Sequence, residues 1–218
     1  MILAIDTATE FAGIALYNQD AVWAEEIWHA GRNHTVELTP RLKRMMQAAT
    51  VAIADLEAIA VSIGPGSYTG VRIAVALAKG LALPYNLSVI GVSTLDIAAY
   101  PHQIQPLPVI AVAQAGRKRL LSAAYAHQGG QWQLLAAPEL GILVQLAETI
   151  TEPTLVTGEL TAIDAETLTR LTNGLAQVVS PSLRVRRPAV LAEIGRQKLD
   201  NAEQDDLDSL VPIYLNAP

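Results

Sequence analysis

The segment from Ala58 to Leu83, AIAVSIGPGSYTGVRIAVALAKGLAL, limits the possible folds of this chain more than any other. A strand of buried-type residues runs through a glycine loop into a helix that is apolar nearly all round, so other elements must cover both. Gly64, Gly66 and Gly70, with Ser67 and Thr69 between them, can bring backbone N–H groups and hydroxyls to the helix start, where an anion would be welcome. The loop nevertheless fits no standard nucleotide motif. A Walker loop needs lysine after its glycine, but Val71 follows Gly70, and a dinucleotide fingerprint wants glycine where Thr69 stands. From Val71 to Leu83 only Arg72 and Lys79 are charged, and they fall on one stripe. Two readings fit such a helix: the centre of a core, or a surface that a partner covers.

Hydrophobic residues fill 51% of the 218 positions, enough for one large domain or two small lobes. The 15 basic and 21 acidic residues leave a net charge of −6, which opposes general attraction to phosphate backbones. Any RNA contact therefore needs positive surface from another component. Cysteine is absent, which excludes disulfides, thiolate nucleophiles and cysteine metal sites. The opening MILAID has no basic leader region. Of the longest uncharged runs, Gly80 to Leu95 is short for a membrane span and Ile97 to Gly116 contains Pro101, Pro106 and Pro108. A soluble, cytoplasmic protein without membrane contact is expected.

Periodicity divides the chain into two halves of like order. The first has strands at Ile2 to Asp6, Gly13 to Tyr17 and Ala21 to Trp28, with the turn-prone Asn18-Gln19-Asp20 between the last two. Leu38, Leu42, Met45, Met46 and Ala49 then recur at helical spacing, and Thr39-Pro40 either starts this helix or kinks one that begins near His34. A strand at Ala58 to Ile63, the apolar helix, a strand at Ser88 to Gly91 and a helix from Thr94 follow. The second half repeats the order, with strands at Val109 to Ala113, Leu120 to Ala126 and Trp132 to Leu135, then a helix at Leu143 to Ile150 and a strand at Thr154 to Thr157. A helix from Ala162 to Leu171, a strand at Ala176 to Val179 and a helix from Pro188 to Leu199 complete it. Two βββαβαβα lobes predict an α/β, actin-like (ASKHA, ribonuclease H-like) fold, with lobes at 1–105 and 106–218 and a boundary in the proline-rich stretch Pro101 to Pro108. The acidic run Glu203 to Asp208 reads as a solvated connector, and the tail Leu210 to Leu215 is apolar enough to dock.

ILAIDTAT at the start, His34, DLEAIAVSIGPGSYTGVRIAVALAKGLA and PIYL near the end together resemble the TsaB (YeaZ) family over the whole chain. The resemblance implies an accessory subunit of the bacterial machinery that makes N6-threonylcarbamoyladenosine beside the anticodon of ANN-decoding tRNAs. In that machinery TsaD transfers the threonylcarbamoyl group from its adenylate and TsaE is an ATPase. The implied partners are TsaD and TsaE, with a homodimer when TsaD is absent and tRNA reached only through the complex. No cofactor of its own is implied, and ATP or ADP is expected to bind only within the complex. TsaD-like chains carry a metal-binding His-x-x-x-His after the strand ending at Ile90-Gly91-Val92, whereas this chain has Thr94-Leu95-Asp96-Ile97-Ala98. Threonine and alanine cannot replace two imidazole ligands. Gln114 also departs from the acidic residue many relatives carry before Ala-Gly-Arg.

On this reading the N-terminal lobe binds the partner through an apolar face to which His34, Leu38, Leu42, Met45, Arg72, Val75 and Lys79 contribute. Asp6, with Thr7 and Thr9, stands where actin-like ATPases hold a metal-linked aspartate, but no glycine-rich phosphate loop accompanies it; a strand-end aspartate capping its own turn is the simpler reading. Asp6, Gly64, Gly66, Ser67, Thr69 and Gly70 are the candidate nucleotide or anion contacts. Ser67 lacks the Gly-x-Ser-x-Gly setting of a nucleophile elbow, and no base or orienting acid is assigned to it. Arg184, Arg186 and Arg187 form the one dense basic patch, either a solvated helix entry or an auxiliary RNA contact. The alternative to a scaffold is an enzyme acting alone, of actin-like ATPase or peptidase type.

Overall fold

The computed structural model describes residues 1–31, 33–116 and 118–214. Strands β1 (Ile2–Asp6), β2 (Phe11–Tyr17) and β3 (Val22–His29) form an antiparallel meander. Its second turn is tied by Asn18 Oδ1, which accepts the Asp20 and Ala21 N–H groups at 3.0 and 2.8 Å. Helix α1 (His34–Ala49) follows, and Pro40 lies inside it, so the helix begins at His34 and Pro40 removes one intrahelical donor. Then come β4 (Ala58–Ser62), α2 (Tyr68–Ala82), β5 (Ser88–Val92) and α3 (Thr94–Ala99).

Strands β6 (Val109–Gln114), β7 (Leu120–Gln128), β8 (Gln131–Leu134) and β9 (Glu139–Gly141) come next, followed by α4 (Leu143–Thr149) and β10 (Thr154–Gly158). Helix α5 (Ala162–Leu171), β11 (Ala176–Val178) and α6 (Pro188–Asp200) complete the set. The two sheets have the orders β3-β2-β1-β4-β5 and β11-β10-β6-β7-β8. Within each, the first strand is central, flanked by its hairpin on one side and by parallel strands on the other. This shared order is the actin-like lobe that the element sequence predicts. The extra β9, which the sequence reading omits, has only three residues and pairs with Leu120–Ser122 of β7; three residues beyond Pro138 are too few to show alternation.

The units divide elsewhere than expected. One comprises Met1–Thr94 with Arg187–Tyr214 and the other Leu95–Arg186, so the break falls after Thr94 rather than at 105, and α6 belongs to the first unit. The cause is steric fit. A Cβ on Gly195 of α6 would stand 2.7 Å from Ala60 Cβ of β4, and one on Gly13 of β2 would stand 2.9 Å from Pro188 Cγ. Glycine and alanine on both sides let α6 lie directly on the sheet. Glu25 of β3 fixes its start, Oε1 accepting the Ala189 N–H at 2.9 Å while the carboxylate pairs with Arg187. On the opposite face Leu3, Ile5, Ile14, Ile59 and Val61 pack with Leu38, Leu42 and Met45 of α1 and Val71, Ala74, Val75 and Ala78 of α2. With both faces covered, β1 and β4 are buried throughout, which explains their unbroken apolar sequences.

In the second unit, β6 alternates cleanly. Val109, Ala111 and Ala113 face a cluster containing Leu95 and Ala98, while Ile110 and Val112 face Leu146 of α4 and Leu168 of α5. Among the described residues no helix is long and apolar enough to cross a membrane.

The acidic run is not simply solvated. Asp205 forms a β-bridge with Val89, its carboxylate accepts the Gly91 N–H at 2.7 Å, and Leu210 is buried in the first unit's core. The tail therefore docks as far as Tyr214, and Leu215 lies outside the described residues. Substituting Gly195→Val is expected to lower stability by about 1–3 kcal/mol through overpacking against Ala60, despite the better helix propensity of valine. Urea unfolding followed by circular dichroism measures this; an unchanged midpoint would refute tight α6 packing.

Candidate functional site

The glycine loop is held chiefly by backbone. β1 ends at Asp6, whose Oδ1 accepts the Ala8 N–H at 2.9 Å and closes an Asx turn. The loop between β4 and α2 lies against that turn. Ser67 N–H donates to the Ala8 carbonyl at 2.6 Å, and the Thr7 hydroxyl donates to the Gly70 carbonyl at 2.6 Å. A Cβ on Gly66 would stand 2.2 Å from Ala8 O, and one on Gly70 2.0 Å from Thr7 O. These two glycines thus serve the contact between chain segments, and Gly64 serves a left-handed turn at φ +92°.

Ser67 caps α2, its Oγ accepting the Gly70 N–H at 3.2 Å, which gives the hydroxyl a structural task. Thr69 is exposed in the first turn. Two of the donors assigned to an anion, Ser67 N–H and Gly70 N–H, are therefore spent inside the protein. The loop is braced further by Thr94 N–H to Gly64 O at 2.8 Å and Ile213 N–H to Ile63 O at 2.7 Å. Thr94, at the first of the two missing imidazole positions, is buried with its Oγ1 3.0 Å from Ser62 Oγ, and Ala98, at the second, is a core residue.

His34 is buried at the start of α1, near Asp6 and Glu37, and its ring is hydrogen-bonded to the Thr9 backbone. Burial outweighs these attractions and holds its pKa below the ordinary imidazole value. Among the described residues no three His, Asp or Glu side chains gather where they could hold a metal.

The expected contact face requires correction. Leu38, Leu42, Met45 and Val75, with His34, are buried within the first unit, so most of their surface is already taken up by the protein's own packing. The outer side of α2 instead carries exposed Ala76 and Gly80 beside Ile73 and Leu77, which are half-buried and pack partly against the core, in a stripe at helical spacing that continues to Leu83, which is 71% exposed. A Cβ built on Gly80 meets nothing within 4 Å. Both charges of the helix are engaged by the tail. Arg72 Nε donates to the Tyr214 hydroxyl at 2.7 Å, with the guanidinium 3.9 Å from the Tyr68 ring centre, and Lys79 Nζ donates to the Asp208 carbonyl at 3.4 Å. Small exposed residues were the missed sequence signal, since Ala76 and Gly80 fit a helix surface approached closely from outside.

The basic patch is dispersed. Arg186 pairs with Glu159 at 2.7 Å and Arg187 with Glu25, whereas among the described residues Arg184 has no ion pair. Gln114 lies against that same Glu159, its backbone N–H donating to Oε2 at 3.2 Å and its side-chain amide to the backbone carbonyl at 3.1 Å. A carboxylate therefore stands beside position 114, although the chain supplies it from position 159.

A family model described as TsaD, tRNA N6-adenosine threonylcarbamoyltransferase, matches residues 28–180. The tRNA threonylcarbamoyladenosine biosynthesis protein TsaB of Bacillus subtilis is 32% identical over 218 residues, covering 98% of this chain and 93% of that protein. The chain belongs to the TsaB (YeaZ) family. The solved structure of YeaZ from Pseudomonas aeruginosa matches this TsaB-family chain with a TM-score of 0.77 and 25% identity, covering 98% of this chain and 99% of that one. The ROK hexokinase of Thermus thermophilus, 10% identical with a TM-score of 0.53 over 90% of this chain and 99% of its own, shares the fold alone.

Replacing Gly70 by alanine in this TsaB-family chain is expected to cost at least about 2 kcal/mol, because the new methyl collides with the Thr7 carbonyl. Urea titration tests this, and a neutral result would remove the backbone contact as the reason for glycine. The depressed pKa of His34 fixes a pH dependence. The unfolded chain binds the proton more readily below the ordinary value of 6.5, so the stability contribution is full above that pH and is lost as pH falls through the folded pKa. His102, also depressed by burial, acts in the same direction. The urea midpoint is expected to fall between about pH 7.5 and about pH 5, and His34→Asn to flatten that decline; an equal decline in the variant would exclude His34 as a source.

Proposed function

We propose that this chain is a docking subunit without a reaction of its own, which supports TsaD in transferring the threonylcarbamoyl group to N6 of the adenosine next to the anticodon of ANN-decoding tRNAs. The observation that carries the proposal is its full-length relationship to the Bacillus subtilis protein named for threonylcarbamoyladenosine biosynthesis. The outer stripe of α2 supports a docking role, since an apolar helix face left at the surface gains by being covered. Threonine and alanine at positions 94 and 98, in place of two metal-binding imidazoles, support the absence of transfer chemistry.

A fold shared with TsaD gives that partner an equivalent helix. Like faces then pair as a pseudo-symmetric heterodimer or, without TsaD, as a homodimer on the same surface. TsaE joins the assembly and tRNA is reached through it. ATP or ADP binds only in the complex, in keeping with the internal use of the Ser67 and Gly70 N–H groups and of Asp6 Oδ1.

Two adjacent substitutions separate docking from folding. Ala76→Glu places a charge on the exposed stripe and is expected to leave the monomer folded while weakening co-purification with TsaD at least about a hundredfold. Val75→Glu buries the charge in the core and is expected to cost the monomer about 3–5 kcal/mol. Normal TsaD binding by folded Ala76→Glu protein would refute the assigned face. In a reconstituted tRNA modification assay, activity is expected to require this chain, which alone should neither bind ATP with magnesium in calorimetry nor turn over a threonylcarbamoyl donor. Turnover by the isolated chain would overturn the docking role.

A further inference from the structure

Among the described residues the two sheets end in the edge strands β3, β5, β11 and β8, and these edges are not protected alike. Asp205 covers β5, bridging Val89 and accepting the Gly91 N–H. β3 carries Glu25 and Glu26, and its register against β2 shifts between Leu16 and Tyr17. β11 has only three residues. Covering segments, charges, irregular pairing and short length are the means by which proteins keep strand edges from joining other chains. β8 carries no charge, and its pairing with β7 runs on past the strand to Leu135. No Asp, Glu, Lys or Arg occurs between Arg119 and Glu139, while Gln131 and Gln133 are exposed and Leu134 and Leu135 are 43% and 41% exposed.

The hairpin decides which groups this edge offers. Gly129 and Gly130 turn at φ +61° and +82°, so Gln128 and Gln131 close a two-residue loop, and at the far end the Leu135 N–H donates to the Ala124 carbonyl at 2.8 Å. Bonded and non-bonded pairs alternate along an antiparallel ladder. Gln131, Gln133 and Leu135 therefore spend their backbone groups on β7, whereas Trp132 and Leu134 direct theirs away from the sheet. Trp132 stacks on Tyr125 with ring centres 5.9 Å apart, Leu134 stands opposite Tyr125 on the same face, and Gln133 lies on the other face.

We propose that β8 pairs antiparallel with β8 of a second copy of this chain, about a two-fold axis at Gln133. Trp132 of each copy then meets Leu134 of the other and exchanges both N–H···O bonds with it, adding an aromatic–aliphatic cross-strand contact on each side of the axis. Gln133 faces its own counterpart, and Gln131 faces Leu135. No like charges are opposed, so the strand is its own complement and fits a symmetric, isologous contact. The surface lies in the second unit and does not use the α2 stripe of the first, so the inference is independent of docking to TsaD.

Ala76→Glu protein is the suitable parent for the test, because it disables pairing through α2. In sedimentation analysis at concentrations up to about 1 mM it is expected to dimerise, with the Trp132 and Leu134 amide protons exchanging more slowly as dimer forms. Gln133→Lys and Gln133→Glu, added separately at this exposed position, are each expected to keep the circular dichroism spectrum and to weaken the dimer at least about tenfold at low salt, because like charges then meet at the axis. Mixing the two variants is expected to restore a dimer that salt weakens. A parent that stays monomeric overturns the proposal and leaves the edge to an extended segment of another protein. A dimer insensitive to Gln133→Lys, a mixture that stays monomeric, or unprotected Trp132 and Leu134 amides would also overturn it. Failure of the α2 assignment is read separately, from TsaD binding by Ala76→Glu protein.

Discussion

The carbonyl oxygens of Thr7 and Ala8 approach the glycine loop so closely that one methyl group at Gly66 or Gly70 would force the segments apart. This contact joins the β1–β2 turn to the start of α2, and much of the first unit follows from it. With Ser67 capping the first turn, the contact fixes the rotation of α2 about its axis. Ala74, Val75 and Ala78 then face the sheet, Ile73 and Leu77 lie half-buried at the margin of that core, and Ala76 and Gly80 turn outward. The motif's effect is therefore mechanical: glycines at one end of the helix determine which residues are presented farther along it.

The same contact limits what chemistry the loop retains. A glycine-rich turn before a helix can cradle an anion when its N–H groups point to open space. Here Ser67 N–H goes to Ala8, Gly70 N–H goes to the serine cap, and an Asp6 oxygen holds its own turn. Bare backbone has been used to bring two protein segments together. A sequence reader sees the glycines in either case, because close approach to a ligand and close approach to a carbonyl make the same demand on the side chain.

That ambiguity explains which parts of the molecule were legible. Element order and sheet type were readable because β6 alternates between two cores and α1 keeps helical spacing. The outward face of α2 was not, since α2 is apolar on adjacent positions and periodicity cannot distinguish Val75 from Ala76. Nor could local sequence assign α6: its fit depends on Gly195 against Ala60 and on Glu25 at its start, both distant along the chain. Charge also misled. The run Glu203 to Asp208 looks solvated, yet Asp205 completes the Gly91 backbone and Leu207 and Leu210 pack against the core. The three clustered arginines have different roles because Glu159 and Glu25 lie far away in sequence.

The docked tail also bears on the proposed covering of α2, because it engages both cations of that helix. Charges buried at an interface without acceptors would oppose association. Arg72 is held by the Tyr214 hydroxyl and lies over Tyr68, and Lys79 reaches the Asp208 carbonyl, so both charged ends are directed to the strap at the helix flank. What remains beside that strap is exposed Ala76 and Gly80 with half-buried Ile73 and Leu77 next to them. Small residues let a second helix approach closely, and larger neighbours fill the grooves beside them. Such a surface is the one the docking proposal assigns to an equivalent helix on a related fold or to a second copy of this chain.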